Sequence, residues 1–139
     1  MAITAGVWQA STAFPGGVVT PSTSNITVSS FPRLAAYGPI YEYFQFKTLA
    51  FMFQSNQPTT QAGAIIISVD YDPSDAAPTS TSLQMRNISS TMANIYSDCS
   101  LEMLASLSRL PKYETTPTTA ITLPQQQIQG VITVATEGY

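Results

Sequence analysis

Three of the chain's eight acidic residues fall within six positions, Asp70-Tyr71-Asp72-Pro73-Ser74-Asp75, directly after the apolar run Ala64-Ile65-Ile66-Ile67-Ser68-Val69. Carboxylates this close together call for a cation. A run so rich in β-branched side chains is predicted to be a strand that leaves a core at Asp70. Alternate side chains of an extended backbone share a face, so Asp70 and Asp72 project to the same side, and Pro73 turns the chain so that Asp75 comes back toward them. Hard oxygen donors of this kind suit Ca²⁺, whereas Zn²⁺ finds no histidine and a single cysteine, Cys99. A calcium shell takes about six to eight oxygens, so carbonyls, water or another subunit must complete it. The spacing excludes an EF-hand: counted from Asp70, the glycine position falls on Asp75 and the closing glutamate position on Thr81. The competing reading of the same six residues is an acidic turn with solvated side chains, because Asp and Pro are ordinary turn formers.

Other chemistry finds little support. Without histidine there is no Ser-His or Cys-His nucleophile, and Cys99, with no evident activating base, reads as a small buried hydrophobe. Glu42, Glu102, Glu114 and Glu137 show no spacing that pairs them for acid-base work. The chain is therefore expected not to be an enzyme.

Hydrophobic residues make up 44 % of the 139 residues and charged residues only 9 %, against about 25 % charge in an ordinary soluble domain. Ser, Thr, Gln and Asn supply the polarity instead. A surface with so little charge does little to keep copies apart, which fits a protein whose faces are covered by neighbours. The net charge is −3, and the five basic residues, Arg33, Lys47, Arg86, Arg109 and Lys112, are scattered rather than gathered into a nucleic-acid-binding arm. A lone cysteine excludes an internal disulfide. No stretch has the apolar length of a membrane helix, and the N-terminus lacks a signal pattern, so no membrane partner is expected.

The elements that must position the acidic turn are short. Asn25–Val28 is a short strand candidate, after a break at Pro15-Gly16-Gly17. The aromatic run from Tyr41 to Phe53 is predicted to be a strand covered on both sides, pairing antiparallel with the isoleucine-rich strand through the loop 56–63. The stretch Pro78-Thr79-Ser80-Thr81-Ser82 can cap a short helix at Leu83-Gln84-Met85. Residues 92–103 read as strand, in competition with a helix over 100–110 suggested by Leu101, Leu104, Leu107 and Leu110. Gly130–Thr136 is the last strand. Many short strands joined by Pro, Gly, Ser and Thr, with almost no helix, predict an all-β fold, a β-sandwich or jelly roll.

The order of these pieces carries a resemblance. Pro32-Arg33-Leu34, Tyr37-Gly38-Pro39-Ile40, an aromatic strand, the loop Gln57-Pro58-Thr59-Thr60 ending at Gly63, an aliphatic strand and then Asp70 to Pro78 follow one another. This resembles the shell domain of coat proteins from small icosahedral positive-strand RNA viruses of the sobemovirus and tombusvirus type. Ile132 to Gly138 is similar to that family's penultimate strand.

The resemblance implies a single jelly-roll β-sandwich of two antiparallel sheets over 31–139, with one or two short helices in loops, preceded by an extended arm or first strand over 1–30. It implies a coat protein that self-assembles into an icosahedral shell, located in the virion and, during assembly, in host cytoplasm. It also implies Ca²⁺ between subunits, with Asp72 and Asp75 as ligands and Asp70 nearby; losing the ion while pH rises would leave like charges facing each other and loosen the shell.

Two features depart from the family. Its basic RNA-binding arm has no counterpart from Met1 onward, so contact with viral RNA would rest on few residues. Its final strand has none after Tyr139, so the expectation is a minimal or truncated coat protein or a last strand from another chain. The alternative from a different class is a calcium-dependent carbohydrate-binding β-sandwich, with Trp8 or Tyr71 stacking on sugar.

Overall fold

Five consecutive buried side chains, Ile65 to Val69, lie in a strand that is paired along both edges, and the rest of the fold is arranged around them. The computed structural model describes residues 22–115 and 123–138. In chain order the strands are β1 (Ser22–Ile26), β2 (Tyr43–Phe44), β3 (Thr48–Phe53), β4 (Ala64–Asp70), β5 (Ser89–Asn94), β6 (Cys99–Leu104), β7 (Tyr113–Glu114) and β8 (Gly130–Glu137). Among the described residues, helices are limited to α1 (Pro32–Ala35), α2 (Thr81–Gln84) and α3 (Pro124–Gln127), with three 3₁₀ turns. One sheet has the order β1-β8-β4-β5, and the others are the pairs β3-β6 and β2-β7, all antiparallel. This is the mostly β architecture the sequence predicts.

Alternation along β4 explains why it reads as a continuous apolar run. Ile65, Ile67 and Val69, with Ile132 and Val134 of β8 and Ile26 of β1, meet Leu49 and Phe51 of β3 and Leu101 and Met103 of β6 in the core between the sheets. The other face carries Ile66 and Ser68, beside Thr133 and Ala135 of β8, all buried. α2 packs on that face. Its N-cap Ser80, within the stretch expected to cap a helix, accepts from Leu83 N at 3.3 Å, so the helix starts at Thr81, two residues before the expected Leu83. Gln84, fully buried, donates its side-chain amide to the carbonyls of Ile66 (3.1 Å) and Thr133 (2.9 Å). A polar side chain is thereby the tie between helix and sheet.

Two expectations about pairing are corrected. The run from Tyr41 to Phe53 is not one strand covered on both sides: β2 and β3 are separate, and in β3 Leu49 and Phe51 are buried while Ala50 and Met52 are exposed. Nor does it pair with β4. β3 pairs with β6, and β4 with β5 and β8, because the loop after Phe53 carries the chain across the core from one sheet to the other. The break between β2 and β3 is held by Gln129, whose buried side chain accepts from Phe46 N (2.8 Å) and donates to Phe46 O (2.9 Å), in place of a neighbouring strand. Edge-to-face contacts of Phe46 with Phe31 (5.4 Å) and Phe44 (5.5 Å) pack the same corner.

The leucine spacing over 101–110 is resolved in favour of strand. β6 runs to Leu104 and gives way to a single 3₁₀ turn, Ala105–Leu107, with Leu101 buried and Leu104 exposed.

At the start of β8 the backbone of Gly130 passes β4 so closely that an added Cβ would lie 3.0 Å from the Asp70 carbonyl oxygen and 3.4 Å from Val69 Cγ1. The nearer contact is backbone and cannot swing away. Gly130→Ala is expected to destabilise the fold by about 1–3 kcal/mol in urea unfolding, and an unchanged midpoint would contradict this reading of the β4–β8 contact.

Candidate functional site

The acidic turn begins where β4 loses its partners. Asp70, opposite Val131 of β8, is the last paired residue, and its Oδ1 accepts from Asp72 N at 2.9 Å. Asp72 repeats the device one step on: its Oδ1 accepts from both the backbone N (2.9 Å) and the hydroxyl (2.6 Å) of Ser74. Asp75 N then donates to Asp72 O at 3.2 Å. These are side chain-to-backbone turns of the kind Asp forms readily, so the sequence signal of a turn here is well founded.

The Ser74 hydroxyl and backbone N–H hold the Asp72 carboxyl below the usual carboxylate range; slight burial opposes them, and the positive charge of Arg109 adds to them. Asp72 is thus an anion at neutral pH. The Asp75 carboxylate has no hydrogen-bond partner among the described residues. Among those same residues, no three His, Cys, Asp or Glu side chains gather closely enough to hold a metal ion. The described residues of one chain therefore present hard-oxygen donors, the ionised Asp72 carboxyl among them, but not a complete cation site.

Two residues fix the turn, and neither role was visible in the sequence. Arg109 donates Nε to Tyr71 O (2.9 Å) and Nη2 to Gln125 O (3.2 Å), tying the turn to the segment leading into β8. Tyr71 packs against the core, and its hydroxyl meets Ser89 Oγ (2.8 Å) and accepts from Leu104 N (2.7 Å), joining the first residue after β4 to both β5 and β6. Long-range bonds of this kind leave no local pattern to detect. A ring held in this way is not a free platform for sugar, and Trp8, the other residue considered for stacking, lies outside the described residues.

Elsewhere, Cys99 is half-buried, and burial with the nearby charge of Asp98 pushes its thiol up, away from the reactive thiolate. Of the four glutamates outside the turn, Glu42 and Glu114 line one open cleft, while Glu102 and Glu137 are exposed on β6 and at the end of β8.

Tyr71→Phe leaves Leu104 N and Ser89 Oγ without this partner and is expected to cost about 1 kcal/mol in chemical denaturation; a neutral result would show that the hydroxyl is not a tie. For Asp72 the sign follows from its lowered pKa. Its contribution is fully present above the unfolded carboxylate value, about 3.9, and is lost as pH falls through the lower folded value. NMR titration is expected to place Asp72 below an ordinary aspartate, and Ser74→Ala to raise it; an unshifted midpoint in both proteins would contradict the Ser74 account.

With the geometry in place, comparison with known proteins is informative. The model of the family described as viral coat protein (S domain) matches residues 4–126. Comparison with curated proteins finds no match. The fold is similar to a solved structure of tobacco necrosis virus, with a TM-score of 0.76 at 16 % identity, over 87 % of this chain and 75 % of that one. It is also similar to Cocksfoot mottle virus, with a TM-score of 0.75 at 12 % identity, over 86 % of this chain and 73 % of that one. The Mud crab tombus-like virus structure gives a TM-score of 0.69 at 22 % identity, over 84 % of this chain and 60 % of that one. At these identities the likeness shows the jelly-roll fold, and the family match carries the assignment. The chain belongs to the viral coat protein S-domain family, as the order of its motifs implied.

Proposed function

We propose that this chain is a structural subunit whose copies assemble into a closed icosahedral shell, and that the turn at Asp72 and Asp75 fastens neighbouring copies in a calcium-dependent way. The family match over residues 4–126 carries the first part. The low charge of the chain supports it, since only 9 % of residues are charged and little repulsion opposes close packing.

The second part is supported by the chemistry of the turn. Ser74 keeps Asp72 ionised, and Asp75 retains a carboxylate that nothing described in its own chain engages. Asp70 uses one oxygen to hold the turn and keeps the other. The donor set fits Ca²⁺ in hardness and charge but supplies only part of a shell of about six to eight oxygens, so a neighbouring copy or water provides the rest. When bound, the ion supplies the positive charge that lets carboxylates from two copies approach. Arg109 fixes the height of the turn through Tyr71 O and lends it part of the same charge compensation.

Contact with RNA through the described side chains draws on few cations. Arg109 is engaged within the fold and Lys112 lies over the Tyr43 ring at 4.0 Å, which leaves Lys47 and Arg86 exposed.

Sedimentation and negative-stain microscopy of the purified chain test both parts. Uniform particles in calcium are expected, with chelator at neutral pH shifting most of the material to smaller species, and Asp72→Asn with Asp75→Asn removing the calcium response. A monomer under all conditions would overturn the shell reading, and particles indifferent to chelator would overturn the fastening alone.

A further inference from the structure

Two exposed apolar patches on this chain carry opposite charge. The first surrounds an open cleft of about 490 Å³ formed by the 3₁₀ turn Gly38–Ile40 and the β2-β7 pair. Ile40, Tyr41 and Tyr43 line it with 70 %, 58 % and 46 % of their surface exposed. The carboxyl-bearing residues Glu42 and Glu114 line the same cleft, and neither is ion-paired within the described chain. The Lys112 ammonium over the Tyr43 ring brings one positive charge to the cleft against the two glutamates, which leaves a net negative balance. Its walls are well anchored: the backbone of Thr115 donates to Glu42 O at 2.9 Å, its hydroxyl to Tyr41 O, and Tyr43 pairs with Glu114 across the two strands.

The second patch follows α2. Leu83, Met85 and Ile88 are 43 %, 41 % and 80 % exposed within six residues, and the exposed Arg86 stands among them. Arg86 uses only its backbone within the chain, donating N–H to Leu83 O. Of the cations whose side chains are described, Arg109 and Lys112 are engaged, and Lys47 is flanked in sequence by the half-buried Phe46 and by Thr48. Among the described side chains, Arg86 combines a free guanidinium with exposed aliphatic neighbours in sequence.

We infer that these surfaces are complementary halves of one contact, in which the α2 ridge of one copy, led by Arg86, seats against the Glu42 and Glu114 cleft of another. This rests on the reading that copies assemble, and it names one of the surfaces they use. The occupant is a second copy because the described residues of the same chain carry both the acidic aromatic cleft and a basic apolar ridge of opposite charge. Nucleic acid is disfavoured, since its phosphates would meet two carboxylates. Guanidinium is suited to the cleft, as it pairs with carboxylates and stacks on tyrosine rings. Because two different patches meet, the contact is head-to-tail, the type that closes into rings where its rotation allows and otherwise extends into filaments. Around the charges, the exposed tyrosines and aliphatic side chains exclude water and strengthen the pairing.

Charge reversal on the full chain tests the contact, with particle yield read by sedimentation and folding by circular dichroism. Glu42→Lys with Glu114→Lys, and separately Arg86→Glu, are each expected to lower particle yield at least tenfold, and the three changes together to restore most of it. Mixing the two defective proteins should also restore particles, because each supplies the half the other lacks. Particles that ignore both reversals, or a loss that neither combination rescues in folded protein, would overturn the contact. If the unaltered chain forms no particles, the assembly reading falls and takes this contact with it, a result distinct from particles that ignore the reversals. Should a reversal unfold the chain, Arg86→Lys particles treated with a carbodiimide give a second readout. A link between position 86 of a labelled copy and Glu42 or Glu114 of an unlabelled one supports the contact, and links that never join these peptides contradict it.

Discussion

β4 is hydrogen-bonded along both edges and covered on both faces, and this enclosure fixes everything that follows Asp70. Its inner side chains build the core with β3 and β6, and its outer ones lie under α2. A strand held on four sides cannot slide or tilt without breaking two ladders and two packed layers at once. The point where it emerges is therefore a rigid position on the surface, suited to presenting a turn to another molecule.

The turn inherits that rigidity through bonds that span the fold. Tyr71 reaches both β5 and β6, and Arg109 links the turn to the segment before β8, so the carboxylates are positioned from three directions. Ser74 adds a local constraint that keeps Asp72 charged. Where a single chain gathers negative charge without gathering a full set of ligands, assembly is a natural way to complete it. The aromatic cleft at Glu42 and Glu114 has the same character, since its charge and its apolar surface are both left unsatisfied by the described residues of the chain that carries them.

Much of this was legible in the residues, and the reasons for the rest are physical. β4 could be located because burial on both faces leaves an uninterrupted apolar run, and α2 to within two residues because a Ser- and Thr-rich stretch able to cap a helix leads into it. The family was legible from motif order, and the carboxylate turn from its composition. Pairing was not, because periodicity reports which faces are buried and says nothing of which strand lies alongside. The aromatic run looked covered on both sides since exposed Ala50 and Met52 are themselves apolar. Gln84 and Gln129 gave no signal at all: each is a buried amide bonded to the backbone of a distant segment, a role visible only when those segments are brought together. Arg109 belongs with them, its contact with Tyr71 depending entirely on tertiary structure.

The central claim is that copies of this chain meet at the turn that closes β4, with a divalent ion between them. The most direct measurement is a reconstruction of assembled particles at side-chain resolution, prepared in calcium. The account predicts Asp72 and Asp75 facing a neighbouring copy, with compact density bridging their oxygens to ligands across the junction. The same residues pointing into open solvent, away from every neighbour, would contradict it.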